Sequence, residues 1–377
     1  MAENSLSFIR QDLLSLSAYH PAPVTDNRNL VRLDANESPF NLPDEIREKL
    51  AIFYEQKIAT NRYPDGSHLP LKQLMAEYLN ESAHLKGEIT PDFISLGSGS
   101  DELIRSILIA TCLNNQGSIL VFNPTFSMYG ILAQTLGIPV VNINRNEVDF
   151  SIDLEKANQA INNPDSLPIK VVFVVHPNSP TANCLTPKEI EWLKSLSKDI
   201  LVVIDEAYYE FSQQTLLPEL LSHSNWLILR TFSKAFRLAA HRVGGAVAHS
   251  AIITILEKIR LPYNLPTFSQ LATITALENR ALILPSIQEV MNEQKRVYDA
   301  LICNDKIKVW SSDANFIYVR LKGEVETEDY QQILDSFKED NIFIRYTGGG
   351  FRISIGNKHE NDRFLSRFNE IFGGGRC

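Results

Sequence analysis

Three apolar segments of this 377-residue chain end in polar residues that could carry out chemistry. WLILR is followed by TFSKAF, with Lys234; ILVVI is followed by DEAYYEF, with Asp205 and Tyr208; KVVFVV is followed by HPNSPT, with Asn178 and Ser179. A lysine amine can form a Schiff base with an aldehyde. An aspartate facing a pyridine nitrogen keeps that nitrogen protonated, which makes the ring an electron sink. A tyrosine and a short polar side chain could hydrogen-bond a phenolic oxygen on the same ring.

A second group of residues suits a phosphate. Gly99, Ser100 and Asp101 open a predicted helix, and the free amides of a helix N-terminus attract anions. Ser233 and Arg242, on either side of the lysine, add a hydroxyl and a guanidinium. An aromatic ring that could stack on a cofactor is offered by NPTFSMY. These residue types together predict pyridoxal 5′-phosphate as the cofactor.

The elements between residues 117 and 260 predict how these side chains meet. Short apolar runs rich in Val and Ile alternate there with helical stretches, which is typical of a mainly parallel sheet covered by helices on both faces. Ligands of such sheets bind beyond the carboxyl ends of the strands. We therefore predict an α/β fold whose large domain carries the three polar segments at one edge of its sheet.

The remaining segments predict two further parts of the chain. Prolines punctuate residues 1–41, which we predict to form an N-terminal arm joining the small domain. Residues 42–265 are predicted to form the large cofactor-binding domain, and residues 266–377 a smaller α+β C-terminal domain. Pro285 should break the long helical region with which the small domain begins.

Composition indicates the class of protein and its partners. Hydrophobic residues make up 44% of the chain and charged residues 21%, as in soluble globular proteins. The formal net charge of −9 argues against nucleic acid or an anionic membrane as the main partner. Four scattered cysteines without a CxxC pair indicate neither a disulfide framework nor a metal site. Without a signal peptide or a membrane-spanning run, we expect a reduced, cytoplasmic protein.

The sequence lacks the motifs that two nucleotide-binding interpretations would require. ILVVIDEAY is similar to the acidic strand of a P-loop ATPase, but the chain has no G-x-x-x-x-G-K-[ST] segment. GSGSDE does not match the G-x-G-x-x-G fingerprint of dinucleotide-binding proteins. Neither interpretation is favoured.

The chain resembles the fold-type I pyridoxal-phosphate aminotransferases, and among them most the histidinol-phosphate aminotransferases. The resemblance runs from about residue 19 to about residue 356. It rests on motifs in family order: LDANESPF, NRYPDG, GSGSDELI, NPTFSMY, HPNSPT, DEAYYEF, TFSKAF and FRISIG.

The resemblance implies a role for each cofactor-site residue. Lys234 matches the Schiff-base lysine, Asp205 the partner of the pyridine nitrogen, Tyr208 the donor to the phenolic oxygen, and Phe126 the aromatic that stacks on the ring. The positions that match the phosphate site are Gly99, Ser100, Asp101, Thr231, Ser233 and Arg242.

The resemblance also implies a partner subunit and a substrate pocket. Tyr63 matches a tyrosine that reaches the phosphate region of the neighbouring subunit, so a homodimer with shared active sites is expected. Tyr19, Arg345 and Arg352 match substrate-binding positions. The expected substrates are a phosphorylated amine and a 2-oxo acid.

Two departures from the family's pattern concern the site. The family usually has N-N-P-T-G where this chain has N-S-P-T-A, so Ser179 replaces the asparagine that contacts the phenolic oxygen. Serine can still donate a hydrogen bond, Asn178 could take over the contact, or a water could bridge it, and the sequence leaves these options open. Arg237 stands where many relatives have glycine, and no role is assigned to it.

The expected reaction moves an amino group between histidinol phosphate, or its keto form imidazole acetol phosphate, and glutamate or 2-oxoglutarate, in histidine biosynthesis. Two alternatives on the same fold are an aromatic amino acid aminotransferase and a threonine-phosphate decarboxylase. A third is a regulator that binds pyridoxal phosphate without catalysis, but no DNA-binding segment accompanies these motifs.

Overall fold

The structure is a computed structural model that describes residues 8–14, 16, 29–164 and 167–373. Tyr19, one of the expected substrate-pocket residues, lies outside the described residues. The strands, in chain order, are β1 (Val31–Leu33), β2 (Ile94–Gly97), β3 (Ser118–Asn123), β4 (Val140–Asn144), β5 (Ile169–Val175), β6 (Leu201–Asp205), β7 (Trp226–Thr231), β8 (Gly244–Ala248), β9 (Ile307–Val309), β10 (Phe316–Leu321), β11 (Ile342–Thr347) and β12 (Gly350–Ser354).

The helices of the described residues surround and connect these strands. In chain order they are α1 (Gln11–Leu14), α2 (Asp44–Lys57), α3 (Leu69–Ser82), α4 (Gly99–Thr111), α5 (Met128–Thr135), α6 (Leu154–Asn162), α7 (Pro187–Ser195), α8 (Tyr209–Ser212), α9 (Leu217–Leu220), α10 (Ser250–Ile259), α11 (Thr267–Glu278), α12 (Arg280–Ile283), α13 (Ser286–Leu301), α14 (Thr327–Glu339) and α15 (Lys358–Phe372). The break predicted at Pro285 is confirmed, because α12 ends and α13 begins on either side of it.

The larger sheet has the strand order β2-β8-β7-β6-β5-β3-β4. Strands β4, β3, β5, β6 and β7 are parallel, and β8 runs antiparallel to both β7 and β2. Along β7, Trp226 and Ile228 pack into one apolar cluster while Leu227 and Leu229 pack into the other. Both faces of the sheet are therefore covered, which confirms the predicted α/β fold.

The smaller sheet has the strand order β1-β11-β12-β10-β9. β1, which belongs to the predicted arm, pairs in parallel with β11, while the other neighbours are antiparallel. This pairing brings the segment after β1, which begins at Asp34, between the two sheets. The segment thereby reaches the carboxyl edge of the larger sheet.

The division into residues 1–41, 42–265 and 266–377 remains a proposal. α11 follows the proposed boundary at 265, and its buried Ala272 and Ala276 lie in the same apolar cluster as Leu71 and Met75 of α3. The first helix of the proposed small domain therefore packs on the large one.

Two further properties concern the described residues. Cys112 and Cys184 carry free thiols. Over the described ranges, no helix combines the length and hydrophobicity that crossing a bilayer requires.

Candidate active site

A cavity of about 210 Å³ lies beyond the carboxyl ends of β5, β6 and β7. Eleven of the residues proposed from the sequence line it, and they come from both sheets. These are Ser100, Asp101, Phe126, Ser179, Asp205, Tyr208, Thr231, Ser233, Lys234, Arg242 and Arg352.

Lys234 follows the carboxyl end of β7 and extends its amine into the cavity. The Nζ atom donates a hydrogen bond to the carbonyl oxygen of Ala35, 2.9 Å away. Burial, together with the nearby charge of Arg352, lowers the pKa of the Lys234 amine to about 8. A sizeable fraction of the amine is therefore uncharged near neutral pH, and the uncharged amine is the nucleophilic form.

Asp205, the last residue of β6, is 4% exposed. Its Oδ2 atom accepts a hydrogen bond from the Tyr129 hydroxyl at 2.8 Å, and its Oδ1 atom accepts one from the backbone N–H of Ala207 at 3.1 Å. Burial raises the pKa of the carboxyl to about 6. Within the described ranges the carboxylate forms no ion pair, so the site favours a cationic group placed against it.

Tyr208 and Phe126 supply the aromatic part of the lining. The Tyr208 hydroxyl accepts a hydrogen bond from Asn36 Nδ2 at 2.9 Å, and burial raises the pKa of the phenol. The Phe126 ring packs edge-on against Tyr129, with centroids 5.5 Å apart. Phe126 also lines the cavity.

The N-terminus of α4 forms a cradle with Arg242. Gly99 has φ +74°, and a Cβ atom there would lie only 2.6 Å from the Arg242 Nη2 atom. The guanidinium also contacts Asp101 Oδ2 and Ser233 Oγ, each at 3.3 Å. The backbone N–H of Ser233 donates to Thr231 Oγ1 at 3.2 Å, which draws that hydroxyl into the same group. First-turn amides, hydroxyls and a guanidinium therefore converge in a geometry that fits a phosphate.

The two candidates for the usual asparagine are placed differently. Asn178 donates through Nδ2 to the carbonyl oxygen of Pro124 at 3.0 Å and to Thr181 Oγ1 at 2.5 Å, and its Oδ1 atom accepts from Thr125 at 3.2 Å. Its side chain is thus committed to the neighbouring loops and is not part of the cavity lining. Ser179 lines the cavity.

Arg352, on β12, lies on the small-sheet side of the cavity. Its Nη1 atom donates to Ser179 Oγ at 3.2 Å, and its Nη2 atom donates to the carbonyl oxygen of Asp34 at 2.7 Å. Arg345 is the register partner of Arg352 on β11, so both side chains emerge on the same face of the sheet. Arg345 is not part of the lining itself.

Tyr63 lies away from this cavity. Its side chain is 81% exposed and stacks on Tyr263, with centroids 4.6 Å apart. The structure therefore does not bring Tyr63 together with the other proposed site residues of its own chain.

Comparison with known proteins gives the family. The family model for aminotransferases of class I and II matches residues 28–368. The chain belongs to this aminotransferase family. It is 54% identical to histidinol-phosphate aminotransferase 2 from a Nostoc species, over 96% of each chain, and 52% identical to histidinol-phosphate aminotransferase from Trichodesmium erythraeum, over 97% of this chain and all of that one.

A solved structure shares the fold of this aminotransferase. Histidinol-phosphate aminotransferase from Sinorhizobium meliloti, in complex with pyridoxal 5′-phosphate, superposes with a TM-score of 0.81. The match covers 98% of this chain and 99% of that one, at 21% identity. At this identity the likeness supports the fold alone.

Two residues of the aminotransferase show contacts that were missed from the sequence. Tyr129 is fully buried, stacks on Phe173 and donates a hydrogen bond to the Asp205 carboxylate, a contact that the sequence did not reveal. Its place in the motif NPTFSMY, one helical turn after Phe126, was the signal that could have identified it. Asn36 belongs to the motif LDANESPF but carried no such signal.

Arg237 has a structural explanation in this aminotransferase. Its φ of +62° is a left-handed conformation, which accounts for the glycine that related chains have there. Its guanidinium donates to the carbonyl oxygens of Asn41 at 2.6 Å and Ile283 at 3.2 Å. Arg237 therefore connects the segment after β1 to the end of α12.

Proposed function

We propose that this aminotransferase uses pyridoxal 5′-phosphate to transfer an amino group between histidinol phosphate and 2-oxoglutarate, as part of histidine biosynthesis. Imidazole acetol phosphate and glutamate are the corresponding products. The observation that carries the proposal is the pairing, across one small cavity, of an amine of lowered pKa, Lys234, with a buried carboxylate that lacks a described cationic partner, Asp205. The names of the curated relatives indicate the substrate.

The chemistry divides between cofactor and protein. When bound, the cofactor supplies an aldehyde that condenses with amines and a ring that accepts electrons from the substrate carbon. The Lys234 Nζ atom holds the cofactor before substrate arrives and, once freed, takes the proton from the substrate α-carbon and delivers it on the cofactor side. A pKa of about 8 suits a group that must both accept and return a proton near neutral pH.

The other residues of the cofactor site are proposed to orient the cofactor's ring and to hold its phosphate. Asp205, whose carboxylate Tyr129 fixes, would keep the pyridine nitrogen protonated. Of the residues that line the cavity, Tyr208 would donate to the phenolic oxygen and Phe126 would stack on the ring. The phosphate would be held by Gly99, Ser100, Asp101, Thr231, Ser233 and Arg242.

Two arginines suit the substrates. Arg345 and Arg352 are register partners on neighbouring strands, so their guanidinium groups emerge on the same face of the sheet. A doubly charged phosphate on one substrate and the carboxylates of the other can use the same guanidinium groups in turn. We propose that both arginines bind the anionic end of each substrate and that Tyr19 completes the pocket.

We further propose a homodimer with shared active sites in the cytoplasm. Tyr63 and Tyr263 present a stacked, exposed aromatic pair, and Leu261 nearby in the chain is 70% exposed. Such exposed apolar groups fit a subunit interface, in which Tyr63 would reach the phosphate region of the partner subunit.

Steady-state kinetics with competing substrates test the proposed function. With 2-oxoglutarate as acceptor, kcat/KM for histidinol phosphate should exceed that for phenylalanine by about tenfold or more, because a phosphate makes more charge-assisted hydrogen bonds than a carboxylate. Threonine phosphate should release no carbon dioxide. A preference for phenylalanine, or decarboxylation, would assign one of the alternative activities, and bound cofactor without turnover of any amine would indicate a binding protein.

A further inference from the structure

Asn36 connects the segment after β1 to Tyr208. The residue is fully buried and adopts a left-handed backbone conformation with φ of +52°. Its Nδ2 atom donates a hydrogen bond to the Tyr208 hydroxyl at 2.9 Å. The contact joins residues 172 positions apart in the chain, and both residues are buried.

A hydroxyl of β12 fixes which end of the Asn36 amide faces Tyr208. The backbone N–H of Asn36 donates to Ser354 Oγ at 2.8 Å, and Ser354 Oγ donates its single proton to Asn36 Oδ1 at 3.0 Å. Asn315 Nδ2 also donates to the Asn36 carbonyl oxygen at 3.1 Å, which holds the backbone. Since Oδ1 is engaged by Ser354, the donor end, Nδ2, is left for Tyr208.

This orientation decides where the Tyr208 proton points. A phenol has one proton, and an oxygen that accepts from Asn36 on one side must direct its own proton elsewhere. The side left open is the cavity, which Tyr208 lines together with Asp205 and Arg352. The other neighbour of the hydroxyl is Ser179, whose oxygen accepts from Arg352 and whose own proton can be donated to Tyr208, a contact that lowers the pKa of the phenol.

The hydrogen bond between Asn36 and Tyr208 matters in this chain because residue 179 is a serine. Relatives usually carry an asparagine there, whose amide contacts the phenolic oxygen, and serine has a shorter side chain without an amide. In this chain Asn178 is committed to Pro124 and Thr181. The amide that contacts Tyr208 is that of Asn36.

We propose that Asn36 is a positioning residue that acts through Tyr208. By donating to the Tyr208 hydroxyl, it turns the phenol's proton towards the cofactor's phenolic oxygen and strengthens a contact that Ser179 leaves weak. The inference rests on the proposed function, since it requires pyridoxal 5′-phosphate in the cavity. It deepens that function by assigning the group that orients one of the cofactor's donors.

The test measures the visible absorption of the bound cofactor against pH in the holoenzyme without substrate. A donor to the phenolic oxygen stabilises its ionised form and lowers the pH at which the absorption changes. Asn36→Gly tolerates a φ of +52° and removes only the amide, so the midpoint should rise by about half to one pH unit. Asn36→Asp, whose carboxylate accepts from Tyr208 instead of donating, should raise the midpoint further. This variant replaces the glycine variant in the test if the glycine variant folds poorly.

A double-mutant cycle separates this role from a structural one. In a Tyr208→Phe background, Asn36→Gly should leave the midpoint unchanged, because the hydroxyl on which Asn36 acts is gone. Asn315→Ala, which loosens the same network without touching Tyr208, should also leave it unchanged. The inference is overturned by an unshifted midpoint in both Asn36 variants, by a shift that persists without the Tyr208 hydroxyl, or by an equal shift in Asn315→Ala. If the native chain binds no pyridoxal 5′-phosphate, the cofactor absorption is absent, and this result contradicts the proposed function itself.

Discussion

The Tyr129 hydroxyl donates a 2.8 Å hydrogen bond to Asp205 beneath the cavity, and both side chains are buried. The bond leaves the carboxylate fixed in place and lowers the pKa of Asp205 against the larger, opposite effect of burial. Tyr129 thus holds the group proposed to pair with the cofactor's ring nitrogen.

Tyr129→Phe should therefore lower kcat by about tenfold, the effect of one hydrogen bond to a buried charged group, while the KM values for both substrates change little. Steady-state kinetics measure the change. Tyr54→Phe, which alters an exposed tyrosine on α2, is the matched control and should behave like the native enzyme. A variant with native kcat would show that Asp205 needs no such support.

Lys234→Ala should abolish amino transfer, with a loss of at least about 10²–10⁴-fold, the range expected for a lost general base. Borohydride treatment followed by mass spectrometry should also detect no cofactor covalently attached to the chain. Lys188→Ala, on the exposed start of α7, should retain activity and attachment. Turnover at the native rate without Lys234 would remove the basis of the proposed function.

The stability of the cofactor-free protein should depend on Asp205 and pH. The folded pKa is raised to about 6, above the value of about 3.9 in an unfolded chain, so folding favours the protonated carboxyl. Its contribution to the free energy of unfolding is fully present below about pH 4 and is lost as the pH rises through about 6. Asp205→Asn, which keeps the acceptor for Tyr129, should then be more stable than the native chain at pH 7–8 by up to about 2–3 kcal/mol, and no more stable at pH 4. Chemical denaturation at both pH values checks the sign, and a stability difference that does not change with pH would contradict it.

Arg352→Ala should raise the KM values for histidinol phosphate and for 2-oxoglutarate together, because one guanidinium is proposed to bind both anions. Loss of a charge-assisted hydrogen bond predicts a fall in kcat/KM of about 10- to 100-fold for each substrate. Arg345→Ala should act in the same direction. Arg47→Ala, which removes an exposed arginine of α2, is the control. An effect on one substrate alone would separate the two binding modes.

Two substitutions of Arg237 separate the cost of its left-handed backbone from the contribution of its side-chain hydrogen bonds to stability. Arg237→Ala loses the hydrogen bonds to Asn41 and Ile283 and keeps a non-glycine residue at φ +62°, whereas Arg237→Gly loses the same bonds and relieves the strain. The alanine variant should therefore be the less stable of the two by about 1 kcal/mol. Urea denaturation gives the comparison, and equal stabilities would show that the left-handed backbone is not costly here.

The sequence by itself predicted the parts of the site that follow from local pattern. Lys234, Asp205 and Ser179 each follow an apolar run, and parallel strands bring their carboxyl ends to one edge whatever the rest of the chain does. The types and motifs of Gly99 and Arg242 likewise predicted that they belong to a phosphate site, and the structure places them in contact with each other. The family follows from the same segments, because they carry the motifs.

Only the tertiary structure decided which side chains complete these groups. Asn36 meets Tyr208 because β1 pairs with β11 and draws a distant segment between the two sheets. Arg352 meets Ser179 because the smaller sheet, through β12, lies against the cavity. The hydrogen bond from the Asn178 amide to Pro124 and that from Arg237 to Ile283 likewise join residues far apart in the chain. Hydropathy patterns specify which face of an element is buried. They do not specify where a polar side chain on that face finds its partner, since that is set by the packing of elements far apart in the chain.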